Sequence, residues 1–321
     1  MQFNRYIALP KSSLFNHKLF FVFRMVLFVA IAYYLWQSLV ANQKILLGLS
    51  ALNVTWQAFE WSLLLLTLIL LPINWLLEGL KWQVIAADHH LNLKQSLKGV
   101  VLGLTLDNVM PAGTGSISGR VITLPEQKSR LKVIPGILVG QVMQSVVTFL
   151  FGLYGFWMVW TKAATLFHWQ PIYSFSLIGL VLIAGLSLLF WRSKIVNFLQ
   201  PLKQYPLKSW AIVFSFSLTR YLVFLVQFML LSSIFAPEID ISLIFGCATW
   251  VFAARTFMPK ISNIERLGIR ALAVVFFMEI FSQPASGVLM AVVILWFINL
   301  AIPSIIGLTM FKDIKAGIQL K

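Results

Sequence analysis

The chain has 321 residues, 60% of them hydrophobic and only 11% charged, against roughly 25% charged in an ordinary soluble domain. A soluble fold would have to enclose several runs of bilayer-spanning length in one core, which a chain of this size cannot do. Its 25 Lys and Arg against ten Asp and Glu give a net charge of +15, but the basic residues stand in clusters between apolar runs and form no continuous face, so nucleic acid is not the expected partner.

In chain order the apolar segments cover 19–40, 61–80, 133–160, 172–191, 209–235, 241–259, 267–283 and 285–311, each near the ~20 residues that a helix needs to cross a bilayer. The sequence therefore predicts an all-α, polytopic membrane domain over 19–311 with about eight spans, a tail over 1–18 and another over 312–321. The first run follows a basic tail, exceeds the length of a signal-peptide core and lacks a small-x-small cleavage site, so it is expected to be a retained anchor. Polar and apolar residues alternate in turns over 42–60, which predicts an amphipathic helix at the interface. Within 95–125 the apolar pieces 99–106 and 121–124 are too short to span and are broken by Asp107, Asn108, Pro111, Gly113 and Gly115. Short helices around such a break predict a re-entrant hairpin, because irregular backbone at membrane depth survives only where protein or water satisfies it.

Of the 25 basic residues, 22 fall on one side of this arrangement, which by the positive-inside rule predicts both termini in the cytoplasm. A weak internal repeat pairs Asn108-Val-Met-Pro111, ahead of Arg120, with Thr256-Phe-Met-Pro259, ahead of Arg270. Cys247 is the single cysteine and His17, His89, His90 and His168 lack ligand spacing, so neither a metal nor any other cofactor is expected.

Three groups of residues carry functional interest. In Pro111-Ala-Gly113-Thr114-Gly115-Ser116-Ile-Ser118-Gly119-Arg120, glycines free backbone N–H groups to face a ligand and hydroxyls stand beside a permanent guanidinium, a combination suited to phosphate. The competing reading is that Gly115 and Gly119 let two helices approach. Asn74, Glu78 and Lys81 share one helix face, as do Gln141, Gln144, Ser145 and Thr148. Glu78, Arg220 and Glu279 each need a partner, a cavity or a route to the interface, since a central charge costs roughly 2.5–3.5 kcal/mol on insertion scales. The third group is Pro259, Glu265, Gly268 and Arg270, where an ordinary inner loop would look much the same. No paired-Asp motif, zinc-ligand motif or Ser/His/Asp set accompanies them, which disfavours an embedded enzyme.

Together, Trp75-Leu-Leu-Glu78-Gly79-Leu-Lys81-Trp82, the run from Leu106 to Arg120, and Pro259 to Arg270 with Leu267-Gly268-Ile269-Arg270-Ala271 resemble the lysylphosphatidylglycerol synthase transmembrane-region family. Asn108, Pro111, Gly115 and Arg120 match its first motif; Pro259, Glu265, Gly268 and Arg270 match its second more loosely. Ser116 stands where many members have an acid. The resemblance implies a lipid-handling domain with re-entrant segments around a cavity for a phospholipid or polyprenyl-linked head group. It does not imply lysyl-lipid synthesis, because the aminoacyl-transferring domain does not accompany these motifs. The expectation is a protein that binds and flips an anionic lipid between leaflets; a transferase acting on a lipid carrier and a non-transporting scaffold remain the alternatives.

Overall fold

The computed structural model describes residues 57–107, Met110, 114–124, 130–166, 206–257 and 263–319. Every regular element among them is helical. Helix α1 (Ala58–Ile85) has 28 residues, about 42 Å at 1.5 Å per residue and ample for a ~30 Å hydrocarbon core. Its first turn is closed by Glu60, whose Oε2 accepts the Gln57 N–H at 2.9 Å. Leu65, Leu66, Ile69 and Ile73 are exposed, while Thr67, Leu71, Asn74, Glu78, Lys81 and Ile85 are buried at three- and four-residue spacing. The polar stripe thus faces the protein and the apolar face looks outward, the reverse of a soluble surface helix.

A turn with His90 in the left-handed region (φ 47°) leads to α2 (Leu93–Leu106). Its start is a reciprocal cap: the Gln95 N–H donates to Asn92 Oδ1 at 2.8 Å and the Asn92 N–H to Gln95 Oε1 at 3.1 Å, satisfying two donors that a helix end would otherwise orphan. Beyond the Met-Pro break, α3 (Thr114–Ile122) packs back along α2. At 14 and nine residues the two are about 21 and 14 Å long, so neither crosses a bilayer alone. Their closeness is a glycine property: a Cβ on Gly119 would lie 2.2 Å from the Gly103 backbone N, and one on Gly115 2.2 Å from the Asp107 N. The Ser96 hydroxyl fixes α2 to α1 by donating to the Gly79 carbonyl at 2.6 Å.

The remaining helices are α4 (Ile134–Leu166), α5 (Leu207–Phe235), α6 (Ile241–Phe257), α7 (Asn263–Ile280), α8 (Ser286–Trp296) and α9 (Ile302–Gln319), the last two joined by a π-helical turn over Phe297–Ala301. Pro303 explains that turn: it has no N–H for the carbonyl four residues back, at Asn299, so the ordinary ladder cannot run through. A large apolar core around Phe228, Val251, Phe277 and Val292 joins α4 to α8, and a smaller one around Trp82, Val100 and Ile137 joins α1, α2, α4 and α5.

Four helical stretches are long and apolar enough to cross a membrane: Ala58–Ile85, Ile134–Ala164, Leu207–Phe235 and Ser286–Met310. They correspond to the expected spans 61–80, 133–160, 209–235 and 285–311. The expected span 241–259 is the shorter apolar helix Ile241–Thr256. Most of the expected 267–283 lies in α7, which ends at Ile280 and whose 18 residues carry Glu265, Arg266, Arg270 and Glu279, too many charges for an apolar span. The segments 19–40 and 172–191, expected to span, lie outside the described residues, as does the interfacial helix expected over 42–60 apart from its end, where Ala58, Phe59 and Glu60 already belong to α1.

Candidate functional site

One carboxylate organises the polar centre. Glu78, in the buried stripe of α1, accepts from Lys81 Nζ at 2.8 Å and from Arg220 Nη1 of α5 at 2.6 Å through Oε2, while its Oε1 accepts from Arg120 Nη2 of α3. Three cations therefore converge on one anion. Glu78, Lys81 and Arg120 are buried and the Arg220 side chain is 20% exposed. Two further nitrogens are also engaged: Arg220 Nε donates to Asn74 Oδ1 at 2.6 Å, and Arg120 Nη1 donates to the Ser116 carbonyl at 3.0 Å and to the Ser116 hydroxyl.

An amide relay continues inward from Asn74. Asn74 Nδ2 reaches Asn299 Oδ1 at 3.4 Å, Asn299 Nδ2 donates to Gln227 Oε1 at 3.1 Å, and Gln227 Nε2 donates to the Thr67 carbonyl at 2.9 Å. The relay ties α1, α5 and the π-helical turn together and fixes the Asn74 carbonyl toward Arg220. Buried polar groups satisfied in this way define one geometry where an apolar contact would tolerate several.

Beside Glu78 lies a cavity of about 170 Å³, lined by Lys81, Asp107, Ser116, Arg120, Gln141, Gln144, Ser145, Thr148, Arg220, Arg255 and Thr256 among others. Among the described residues, its cations, Lys81, Arg120, Arg220 and Arg255, outnumber its carboxylates, Glu78 and Asp107. A second compartment of about 140 Å³ shares Gln144, Thr148, Arg220, Arg255 and Thr256 with the first and adds Asn74, Trp75, Tyr221, Phe224, Phe252, Arg270 and Asn299. A wall so rich in N–H and O–H donors can bind and desolvate an anion, because charge-assisted hydrogen bonds are the stronger kind and the surrounding protein screens them less than water does. No protein-family model, curated protein or solved structure matches the chain.

Asn74, Glu78, Ser116, Arg120, Gln141, Gln144 and Arg220, from two of the expected groups, meet around these two joined compartments, and Arg270 joins them from the third, on α7. The backbone of the glycine-rich motif plays a different part from the one expected of it. Gly115 and Gly119 face α2, and the Ser116 N–H donates to Asp107 Oδ1 at 2.8 Å, so helix packing takes the two glycines and this amide, and the motif's contribution to the cavity is made by the side chains of Ser116 and Arg120. Gly268 is half-buried in α7 and lines neither compartment. Glu279 is exposed near the end of α7, away from both. Asn108, Pro111, Gly113 and Pro259 lie outside the described residues, as does the side chain of Glu265.

Sequence reasoning passed over Asp107, Arg255 and Asn299 as site residues. The repeat held a signal for two of them: Asp107 and Arg255 each precede the proline of their motif by four residues, and both line the first cavity. For Asn299 the signal is a lone amide four residues before Pro303 inside an apolar run.

Proposed function

We propose that the protein binds an anionic lipid by its phosphate-bearing head group at the Glu78–Arg120–Arg220 centre and moves it between the leaflets of a bacterial inner membrane. The observation that carries this reading is the convergence of Lys81, Arg120 and Arg220 on the single carboxylate of Glu78 beside a polar cavity. Charges are costly at membrane depth, and a purely structural pair would need one cation, not three. The excess positive charge suits a phosphate, which Arg120 and Arg220 grip with planar forks while Lys81 adds a point charge. The hydroxyl and amide stripe of α4, from Gln141 to Thr148, lowers the cost of carrying a head group past hydrocarbon, with acyl chains left in lipid. The resemblance of the two Pro motifs to the lysylphosphatidylglycerol synthase transmembrane-region family supports the same assignment.

In this reading α2 and α3 enter and leave from the cytoplasmic side. Single cysteines at Lys98 and at Lys128, in a Cys247→Ser background, then react with a membrane-impermeant reagent supplied from the cytoplasm only; labelling of either from the opposite side contradicts the hairpin. Transport itself is tested in vesicles carrying acyl-labelled phosphatidylglycerol or a labelled polyprenyl phosphate. The wild-type protein should speed transfer of at least one of them between leaflets, and Arg220→Ala should abolish the gain. Transfer no faster than in protein-free vesicles for both lipids would refute translocation.

A further inference from the structure

Each guanidinium of the polar centre has one arm on a neutral acceptor and another on Glu78. Arg220 donates from Nε to Asn74 Oδ1 and from Nη1 to Glu78 Oε2, both at 2.6 Å. Arg120 donates from Nη1 to the Ser116 carbonyl at 3.0 Å and from Nη2 to Glu78 Oε1. The neutral acceptors are fixed by the fold, Asn74 through its amide relay and Ser116 through its N–H on Asp107. The carboxylate is held differently, because it also accepts from Lys81 Nζ at 2.8 Å, three residues along its own helix. A contact between helix neighbours can outlast a side-chain rotation that breaks the bonds to α3 and α5. Lys81, with three donors on a flexible stem, can keep the carboxylate compensated after that rotation. The arms that would grip a phosphate are thus occupied in this structure by an anion of the protein itself, and carboxylate and phosphate oxygens suit the same fork.

We infer that Glu78 is a built-in competitor of the head-group phosphate: its carboxylate leaves Arg120 and Arg220 for Lys81 when the phosphate arrives, and returns to them when the phosphate departs. The inference rests on the proposed function, since the phosphate is the one assigned there to Arg120, Arg220 and Lys81. The exchange keeps both guanidiniums paired with an anion in either state, so neither state leaves a buried charge uncompensated. It also limits affinity. A site that passes its cargo on must bind well enough to load and weakly enough to unload, and three cations with no resident anion would hold a phosphate too long. Glu78 therefore acts in release, while the cations act in binding.

The test uses the full chain in neutral detergent with inorganic phosphate and dodecyl phosphate as probes. Glu78→Gln removes the competing charge and should bind at least one probe ~10-fold or more tightly than wild type, the order of one charged hydrogen bond that no longer has to be displaced. Its dissociation should be slower, and in vesicles it should move labelled lipid between leaflets more slowly than wild type. Glu78→Asp, one methylene shorter, keeps the charge but withdraws it from the arginines, so its affinity should lie between. Wild type supplies a measurement that needs no variant: in protein labelled with ¹³C-glutamate, a glutamate carboxylate infrared band should shift as the bound probe saturates. Binding of dodecyl phosphate alone identifies a lipid as the source, and binding of inorganic phosphate alone a free phosphate; either sustains the exchange. An unmoved glutamate band, equal or weaker binding by folded Glu78→Gln, or tighter binding with undiminished transfer overturns it, while Arg120-dependent binding of dodecyl phosphate leaves the proposed function standing. No binding of either probe overturns both.

Discussion

At the first Met-Pro break, α2 and α3 touch backbone to backbone, with Gly119 against Gly103. At the second, α6 and α7 have 17 and 18 residues and pack through large side chains, Trp250 stacking on Phe276 at 5.7 Å. The same short motif thus introduces two kinds of helix pair. In the first, Arg120 follows a glycine whose position admits no slack, so its guanidinium is delivered to Glu78 by the backbone. In the second, side-chain spacing separates the helices, and Arg255 and Arg270 face the compartment beside Tyr221. Fixed backbone contact suits a residue that must hold a charge in place, and wider packing suits a wall that encloses an occupant.

Gly119→Leu should break this comparison most severely. Its Cβ alone would lie 2.2 Å from the Gly103 N, a backbone atom that cannot rotate away, so the loss should reach or exceed the ~1–3 kcal/mol typical of overpacking. Protein yield and melting temperature measure it. Phe276→Leu at the second pair keeps an apolar, half-exposed contact and should cost less than half as much; an equal loss at both positions would mean that the two breaks are built alike.

Glu78→Gln comes next in size. It removes the charge common to Lys81, Arg120 and Arg220, and stripping one partner from a buried ion cluster typically costs ~3–5 kcal/mol. Part of that loss should be recovered by phosphate, because an added anion finds the three cations released from the carboxylate. Melting temperature against phosphate concentration should therefore rise more steeply for Glu78→Gln than for wild type; identical slopes would separate the cations from anion binding.

The smallest effect concerns the turn before α6. Asp240 accepts from the Ser242 N–H at 2.8 Å and from the Ser242 hydroxyl, and those bonds hold its carboxyl below the ordinary range. A carboxylate whose folded pKa is depressed contributes stability above its unfolded pKa and loses it as pH falls through the folded value. Asp240→Asn keeps a side-chain cap but cannot titrate, so it should slightly lower the neutral melting temperature and flatten its acid limb, the two proteins converging at low pH. An unchanged acid limb would assign the cap no electrostatic part.

Membrane class and helical architecture were legible in composition and run length, because four of the expected spans need only enough apolar residues in sequence. The inward stripe of Asn74, Glu78 and Lys81 was legible too, since helical spacing puts polar residues on one face and lipid rejects that face. What could not be read locally is which charges meet: Glu78 and Arg120 are 42 positions apart, and Glu78 and Arg220 142. Periodicity fixes the face a residue shares with its neighbours on one helix, and says nothing of the helix that face will touch. The glycine motif was ambiguous for a different reason. Close backbone approach to a ligand and to another helix require the same absent Cβ, and only the position of α2 against Gly115 and Gly119 distinguishes them.

The central claim is that Arg120 and Arg220 hold the phosphate of an anionic lipid, and native mass spectrometry of the lipids retained by gently extracted protein tests it most directly. Wild-type protein should carry anionic lipid. Arg120→Ala should weaken its retention by ~10- to 150-fold, the equivalent of about 1.5–3 kcal/mol for a charged hydrogen bond, and Arg120→Lys should fall between because an ammonium lacks the planar fork. An Arg120→Ala protein that folds, melts near the wild-type temperature and keeps its anionic lipid would contradict the claim.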